Sequence, residues 1–242
     1  FMKRNYKLAK TYYNRALARD SDNEDALFGL GQTEYYLEND DSAKKSLEKL
    51  LEKNPDYAPA YLYLGKIAAA NNEYKIASDY AKTAIEKDPT QYDYFMDYGM
   101  YERYLGHYDA AEEAWTQAIQ IESGYFLAYA YRAGLYDERN MFPQALADYK
   151  KVVELNPEYY FAHESLGVLA LHEKQWSTAR ASFEECYKKN PANVSYPLMV
   201  TYCYYMEGND IEARNFSNQA LRVMDRNTIE YTMLRVYHDK AG

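Results

Sequence analysis

The side chains best suited to catalysis or to metal binding are four histidines and two cysteines, and their spacing favours neither use. A zinc-protease site needs two histidines four residues apart on one helix, and a structural zinc site needs closely spaced Cys or His pairs. Neither spacing occurs, and the sequence has no Gly-rich phosphate loop and no Gly-x-Ser-x-Gly turn. The sequence therefore predicts no enzyme activity, no cofactor and no bound metal. The six residues are His107, His163, His172, His238, Cys186 and Cys203.

Packing accounts for the same residues more simply. Cys186 and Cys203 are expected to be buried thiols that behave as small hydrophobes. They fall on adjacent predicted helices, so a disulfide is sterically conceivable, although nothing in the sequence indicates one. His163 stands at an aromatic packing position and is expected to be structural. Asp20, Asp22 and similar acidic residues are expected to cap helices and turns rather than to bind metal.

Composition excludes two broad classes of function. The net charge is −9, from 28 basic and 37 acidic residues, and no basic run is present. A protein that binds a nucleic-acid backbone needs an electropositive face, so no nucleic-acid partner is predicted. No apolar stretch approaches the ~20 residues that cross a bilayer, so no transmembrane segment is predicted. The 30 tyrosines fit two interpretations that can coexist: they fill aromatic packing positions, and some line a binding surface.

The stretch 58–91 predicts a pair of helices. Apolar residues recur at helical spacing over about Pro59–Asn71 and again over about Tyr74–Glu86, on either side of a polar turn. Pro89 then ends the second helix, because proline cannot donate into the helical ladder and disfavours helix just before it.

The same pair recurs every 34 residues. A small residue at one place of each unit, such as Gly65, would let the two helices of a pair approach closely, and the recurrent alanine faces it. A fixed period of this length indicates stacked structural repeats. The recurrent alanines are Ala9, Ala43, Ala77, Ala111, Ala145, Ala179 and Ala213.

These residues resemble one repeat family over essentially the whole chain. The order aromatic-x2-Leu-Gly, then Ala, then Pro is similar to the tetratricopeptide repeat (TPR) signature. The matching residues in one repeat are Tyr61, Leu64, Gly65, Ala77 and Pro89. The resemblance implies an all-α fold, a right-handed α-solenoid of stacked antiparallel helix pairs, or TPR superhelix.

The period predicts a single solenoid domain over residues 1–242. Residues 1–23 match the second helix of a truncated repeat, and 228–242 match a closing helix with Arg235 where the small residue belongs. The helix at 3–19 has an apolar stripe without its usual partner, so we expect that residues upstream were removed or that another chain covers this end. The six full repeats are 24–57, 58–91, 92–125, 126–159, 160–193 and 194–227.

The resemblance also places a binding groove. In TPR proteins the first helices line the concave face, and here the corresponding places are mostly nonpolar, whereas the outward places of the second helices are mostly polar. Contiguous exposed apolar surface usually marks a contact site, although packing between repeats or self-association could use the same surface. The predicted groove residues are Phe28, Gln32, Tyr35, Leu62, Lys66, Met96, Met100, Arg103, Leu127, Phe161, Leu171, Leu198, Tyr202 and Tyr205.

The predicted function is a non-catalytic protein–protein interaction scaffold or adaptor. Its partner would be a protein or peptide that offers an apolar or amphipathic segment, with Lys66 and Arg103 orienting a carboxylate or carbonyl. The carboxylate clamp known in this family needs lysine and asparagine at places where Phe28 and Gln32 stand here, so a receptor for chaperone tails is not expected. Two alternatives stay open: a carrier of a hydrophobic small molecule or lipid, and a structural module that forms homo-oligomers through its exposed ends.

Overall fold

The computed structural model describes residues 2–241, and the side chains of residues 5–241. Over that range the chain forms fourteen helices and no strand, which confirms the predicted all-α fold of helix pairs. The helices are α1 Met2–Arg19, α2 Glu24–Tyr36, α3 Asp40–Lys53, α4 Ala58–Ala70, α5 Tyr74–Lys87, α6 Tyr92–Tyr104, α7 Tyr108–Ile121, α8 Phe126–Glu138, α9 Phe142–Leu155, α10 Tyr160–His172, α11 Trp176–Lys189, α12 Ser195–Met206, α13 Asp210–Leu221 and α14 Ile229–Lys240.

Asparagine or aspartate followed by proline ends the second helices, as predicted for the helix before Pro89. Asn54, Asp88 and Asn156 are the C-cap residues of α3, α5 and α9. Each side-chain Oδ1 accepts a hydrogen bond from the backbone N–H two residues on, at 3.2, 3.0 and 3.2 Å. This local turn competes with the helix, so the chain turns into the next first helix within a few residues.

Left-handed residues turn the chain inside every pair. One residue per repeat has a positive φ of 55–79°, and the six stand 34 residues apart. Glycine adopts this conformation without strain, but only two of the six are glycine. The residues are Glu38, Asn72, Gly106, Asn140, Lys174 and Gly208.

Lys174→Gly is expected to stabilise the protein. Lys174 is exposed and has a φ of 55°, which costs an L-residue about 1 kcal/mol. The free energy of unfolding should therefore rise by up to about 1 kcal/mol, measured by chemical denaturation. Lys188→Gly is the matched control, because Lys188 is an exposed helical residue of α11 where glycine should destabilise by about 1 kcal/mol. A loss in both variants would contradict the assigned turn.

The small residue of each repeat lies where two helices approach closely. A Cβ added to Gly65 would stand 3.2 Å from the carbonyl oxygen of Ala77, the recurrent alanine of the facing helix. Ala77 is fully buried. The prediction that these two places face each other is confirmed at this pair.

Contacts divide the chain into two compact units, residues 1–123 with α1–α7 and residues 124–242 with α8–α14. The core of the first unit includes Leu47, Leu50 and Ile67, and that of the second includes Phe183 and Val200. The single solenoid over 1–242 stays a prediction.

The first and last helices carry exposed apolar side chains. On α1, Leu8 and Tyr12 are exposed, as predicted for the stripe of the 3–19 helix. On α14, Leu234 is buried while Ile229, Met233 and Val236 are exposed. No helix among the described residues combines the length and apolarity needed to cross a membrane.

Both cysteines are expected to resist alkylation in the folded protein. Cys186 and Cys203 are free thiols with fully buried side chains, and burial raises the pKa of each to about 12. The thiolate is the reactive form, so iodoacetamide at about pH 8 should modify neither residue until the protein is unfolded. Mass spectrometry before and after addition of denaturant measures this, and rapid labelling of the folded protein would contradict the buried position.

Candidate partner-binding face

In residues 1–123 the first helices form the closely spaced side of the stack. Helix α2 contacts α4, and α4 contacts α6. Clefts of about 400, 300 and 220 Å³ lie between the successive second helices α1 and α3, α3 and α5, and α5 and α7. This spacing agrees with first helices on the inside of the curve of this unit. We call the surface formed by α2, α4 and α6 the first-helix face of the first unit. The corresponding surface of α8, α10 and α12 is the first-helix face of the second unit.

The structure divides the predicted groove residues of the first unit into two groups. Leu62 and Met96 are buried. Leu62 packs against Ala84 and Tyr94 of the following helices, so these side chains support the face from below rather than forming its contact surface. The partly exposed residues are Phe28, Gln32, Tyr35, Lys66, Met100 and Arg103.

The second unit shows the same division. Leu198 is buried in a cluster with Met224 and Leu234. Phe161 is exposed by 67%. Val168, two helical turns later on α10, is exposed by 56% and stands at another inward-facing place of the same repeat. The partly exposed residues are Leu127, Leu171, Tyr202 and Tyr205.

A bent row of six aromatic rings runs across α1, α2 and the N-terminal part of α4 with its N-cap, and it folds back at Tyr35, where the Tyr36 and Tyr63 centroids are only 6.3 Å apart. The successive ring centroids are 5.0, 5.3, 5.5, 5.7 and 5.1 Å apart. Tyr63 is the buried member of the row, and the other five rings are exposed or partly exposed. Only Phe28 and Tyr35 of this set were predicted to lie in the groove. In order, the aromatic row consists of Tyr6, Tyr36, Tyr35, Tyr63, Phe28 and Tyr57.

Hydroxyl and amide groups connect the row. Gln32 Nε2 donates to the Tyr63 hydroxyl at 2.5 Å, and the hydroxyls of Tyr36 and Tyr63 lie 3.3 Å apart. The hydrogen bond to Tyr63 and burial raise the pKa of Tyr36, and burial raises the pKa of Tyr35. Phenols with pKa values of about 10 or above are protonated at neutral pH, so both can donate hydrogen bonds.

Lys66 already has a partner on this face. Its Nζ lies 3.5 Å from Asp97 Oδ2 on α6 and 5.4 Å from the centroid of the Tyr63 ring. Burial raises the pKa of Asp97, and Lys66 opposes that rise. A ligand carboxylate would have to compete with Asp97 for Lys66, so the predicted role of Lys66 in orienting a partner stays a proposal.

Carboxylates surround the Tyr57 end of the row. Burial raises the pKa of Tyr57, and Asp25 and Glu24 add to the rise. Burial also raises the pKa of Tyr94 to about 12, with Asp93 contributing. Within residues 5–241, neither Asp25 nor Asp93 forms an ion pair or a hydrogen bond through its side chain. This end of the face is therefore acidic.

The first-helix face of the second unit is also aromatic. The Tyr202 ring lies 5.9 Å from Trp176 and 5.3 Å from Tyr237, whose ring is 5.7 Å from that of Tyr205. Beside Phe161, the Glu164 carboxylate accepts a hydrogen bond of 3.0 Å from the Tyr196 hydroxyl. Among the described side chains, no three His, Cys, Asp or Glu residues come together as ligands for a metal ion.

Three comparisons relate this architecture to known proteins. A family model described as tetratricopeptide repeat matches residues 3–43, 30–92 and 132–194. Human tetratricopeptide repeat protein 6 is 27% identical over 179 residues, which cover 72% of this chain and 34% of that protein. Human DnaJ homolog subfamily C member 7 is 27% identical over 165 residues, 62% of this chain and 33% of the relative. The chain spans about a third of the length of these relatives.

Solved structures show the same fold. The C-terminal part of a TPR protein from Cytophaga hutchinsonii has a TM-score of 0.71 at 18% identity and covers 95% of this chain and 94% of its own. MamA has a TM-score of 0.59 at 26% identity, with 65% and 92% covered. YrrB, a TPR protein with an unusual peptide-binding site, has a TM-score of 0.62 at 17% identity, with 81% and 99% covered. The helix pairs repeat every 34 residues, and small residues lie where the two helices of a pair approach closely. Because the family model also matches more than half of the sequence, this chain belongs to the tetratricopeptide repeat family.

Proposed function

We propose that this protein is a non-catalytic interaction scaffold whose first-helix faces bind an apolar or amphipathic segment of a partner protein. The observation that carries the proposal is the exposure of Phe161 and Val168 on one face of α10, two helical turns apart. Fully burying a side chain of either type contributes roughly 1.5–3 kcal/mol. The two residues are therefore suitable anchors for a partner that covers them.

Relatives support a protein partner in general terms. Hsp70-Hsp90 organizing protein 3 of Arabidopsis thaliana is 26% identical over 96 residues, 40% of this chain and 17% of the relative, and its name describes action on other proteins. YrrB has a peptide-binding site. The places of the carboxylate clamp hold Phe28 and Gln32 in this chain, or Leu62 and Lys66 in the next repeat. We therefore propose an apolar partner segment rather than a charged chain end.

Peptide selection tests the proposal. A random peptide display library is selected against the protein, and the affinity of the enriched peptides is measured by fluorescence anisotropy. The double substitution Phe161→Glu and Val168→Glu should lower the affinity for the enriched peptides by at least about tenfold, because it removes the apolar anchors and adds charge. Ile211→Glu is the matched control, because Ile211 is 74% exposed on the second helix α13. Equal affinities for both variants and the unchanged protein would contradict the proposal.

Self-association is a second candidate, which the apolar face of α14 favours. Ile229, Met233 and Val236 stand at helical spacing and are exposed together. Sedimentation equilibrium should then give a mass that rises with concentration and falls to that of one chain in Met233→Glu. A single-chain mass at all concentrations would exclude this candidate.

A further inference from the structure

We propose that the first-helix face of residues 1–123 takes an extended, proline-rich segment with a basic residue beside its prolines. This inference rests on the proposed function and names the partner chemistry for one of the two units. The aromatic row, its hydroxyl groups and the acidic Tyr57 end carry the inference.

The exposed rings of the aromatic row suit a polyproline II helix. Neighbouring ring centroids lie 5.0–5.7 Å apart. Phe28 and Tyr35 are partly exposed and Tyr36 is exposed, so a partner can reach these rings, whereas Tyr63 is buried. Prolines on one edge of such a segment can therefore pack against the exposed rings, as in other aromatic-lined grooves that bind proline-rich chains.

The hydroxyl groups of the row can donate hydrogen bonds to acceptors on a partner. The Tyr35 and Tyr36 hydroxyls are protonated at neutral pH, as any tyrosine with a pKa of about 10 is, and can act as donors. A partner helix satisfies its backbone carbonyls internally, so it would cover these donors without pairing them. A polyproline II segment has no internal hydrogen bonds, and its carbonyl oxygens can accept from Tyr36 and its neighbours. The face therefore favours an extended partner over a helical one.

Charge sets the second feature of the partner. Asp25 and Asp93 lie near Tyr57 and Tyr94, and their carboxylates have no ion-pair partner in the described part of the chain. The net charge of the whole sequence is −9. An arginine or lysine at one end of the segment would complement these carboxylates and increase the association rate.

Two synthetic peptides test the inference. One contains repeated Pro-Pro-Leu triplets and ends in two arginines. The other has alanine in place of every proline and the same charge, so that it can form a helix. Fluorescence anisotropy with fluorescein-labelled peptides should show the proline peptide binding at least about tenfold more tightly than the alanine peptide.

Matched tyrosine variants locate the binding. Tyr36→Ala should lower the affinity for the proline peptide by about tenfold, and Tyr35→Ala, as a second variant, should do the same. Tyr104→Ala is the control, because Tyr104 is exposed at the corresponding place of α6 and stacks on Tyr74 at 4.4 Å, outside the aromatic row. Asp25→Asn should weaken binding by about threefold at low salt. Circular dichroism verifies that each variant is folded.

The outcomes separate this inference from the proposed function. Equal binding of the two peptides, or equal losses in Tyr36→Ala and Tyr104→Ala, would overturn the inference. Preferential binding of the alanine peptide, lost in Tyr36→Ala, would also overturn it and leave the proposed scaffold function in place. The display experiment at Phe161 and Val168 tests that function on the other unit. If neither synthetic peptide binds, the inference fails whatever the display experiment yields.

Discussion

Replacing Asp148 by alanine is expected to lower the free energy of unfolding by about 3 kcal/mol. The Asp148 carboxylate accepts two hydrogen bonds from Arg132, at 2.7 Å from Nε and 2.8 Å from Nη2. The two side chains are only 9% and 16% exposed. Removing one member of a buried pair leaves the other charge without its main compensation, which costs about 3–5 kcal/mol. The lower value is expected here because Arg132 also lies 5.9 Å from the ring centroids of Tyr129 and Tyr136, and these contacts remain.

The midpoint of guanidinium denaturation, followed by circular dichroism, measures this loss. Asp79→Ala is the control, because Asp79 forms a 2.8 Å ion pair with Lys75 in which both side chains are largely exposed. Its loss should be below about 1 kcal/mol. Replacing both members of the buried pair, by Arg132→Met with Asp148→Leu, should recover much of the stability, since no buried charge then remains. Equal midpoints for Asp148→Ala and Asp79→Ala would refute the importance of the buried pair.

The repeat period made the backbone predictable. Periodicity placed the first helix of one repeat at about Pro59–Asn71 and the second at about Tyr74–Glu86, and the structure has Ala58–Ala70 and Tyr74–Lys87. These boundaries depend on local features, namely apolar spacing and the Asp88-Pro89 joint, which the sequence displays directly.

Side-chain exposure was harder to predict because it depends on how far apart neighbouring repeats lie. Leu62, Met96 and Leu198 occupy groove places of the repeat pattern and yet are buried, since adjacent helices pack over them. The backbone conformation of Lys174 could not be predicted either. The turn imposes its left-handed conformation, and lysine is not a residue type that indicates a positive φ. Arg132 and Asp148 are 16 residues apart, so no rule of helical spacing pairs them.

The aromatic row joins residues from three repeats, and only the folded chain shows which rings meet. Tyrosines were expected both in packing positions and on a binding surface, and the row combines the two. Tyr63 is buried and Tyr36 is exposed, yet their hydroxyls lie 3.3 Å apart. A periodic sequence shows that aromatic residues are frequent, but it does not show that the rings of six of them contact one another in the folded chain.

Gly99→Leu is expected to destabilise the protein by about 3 kcal/mol, the upper end of the usual cost of overpacking. A Cβ at position 99 would stand 2.6 Å from Nε1 and 2.9 Å from Cδ1 of Trp115. The Trp115 indole is almost fully buried and donates a hydrogen bond to the Met96 carbonyl oxygen at 3.3 Å. Because a rigid ring held in this way cannot move aside cheaply, α6 and α7 would have to separate.

The matched control for this substitution is Gly134→Ala in α8, where the nearest atom to an added Cβ is the Tyr149 hydroxyl oxygen at 3.8 Å. Alanine there meets no obstacle and has the higher helix propensity, so stability should rise by up to about 1 kcal/mol. Thermal and chemical denaturation of Gly99→Leu, Gly99→Ala and Gly134→Ala measure the contrast, with Gly99→Ala expected between the other two. If Gly99→Ala stabilised the protein as much as Gly134→Ala, the indole would be free to move, and the close packing of α6 against α7 would have another cause.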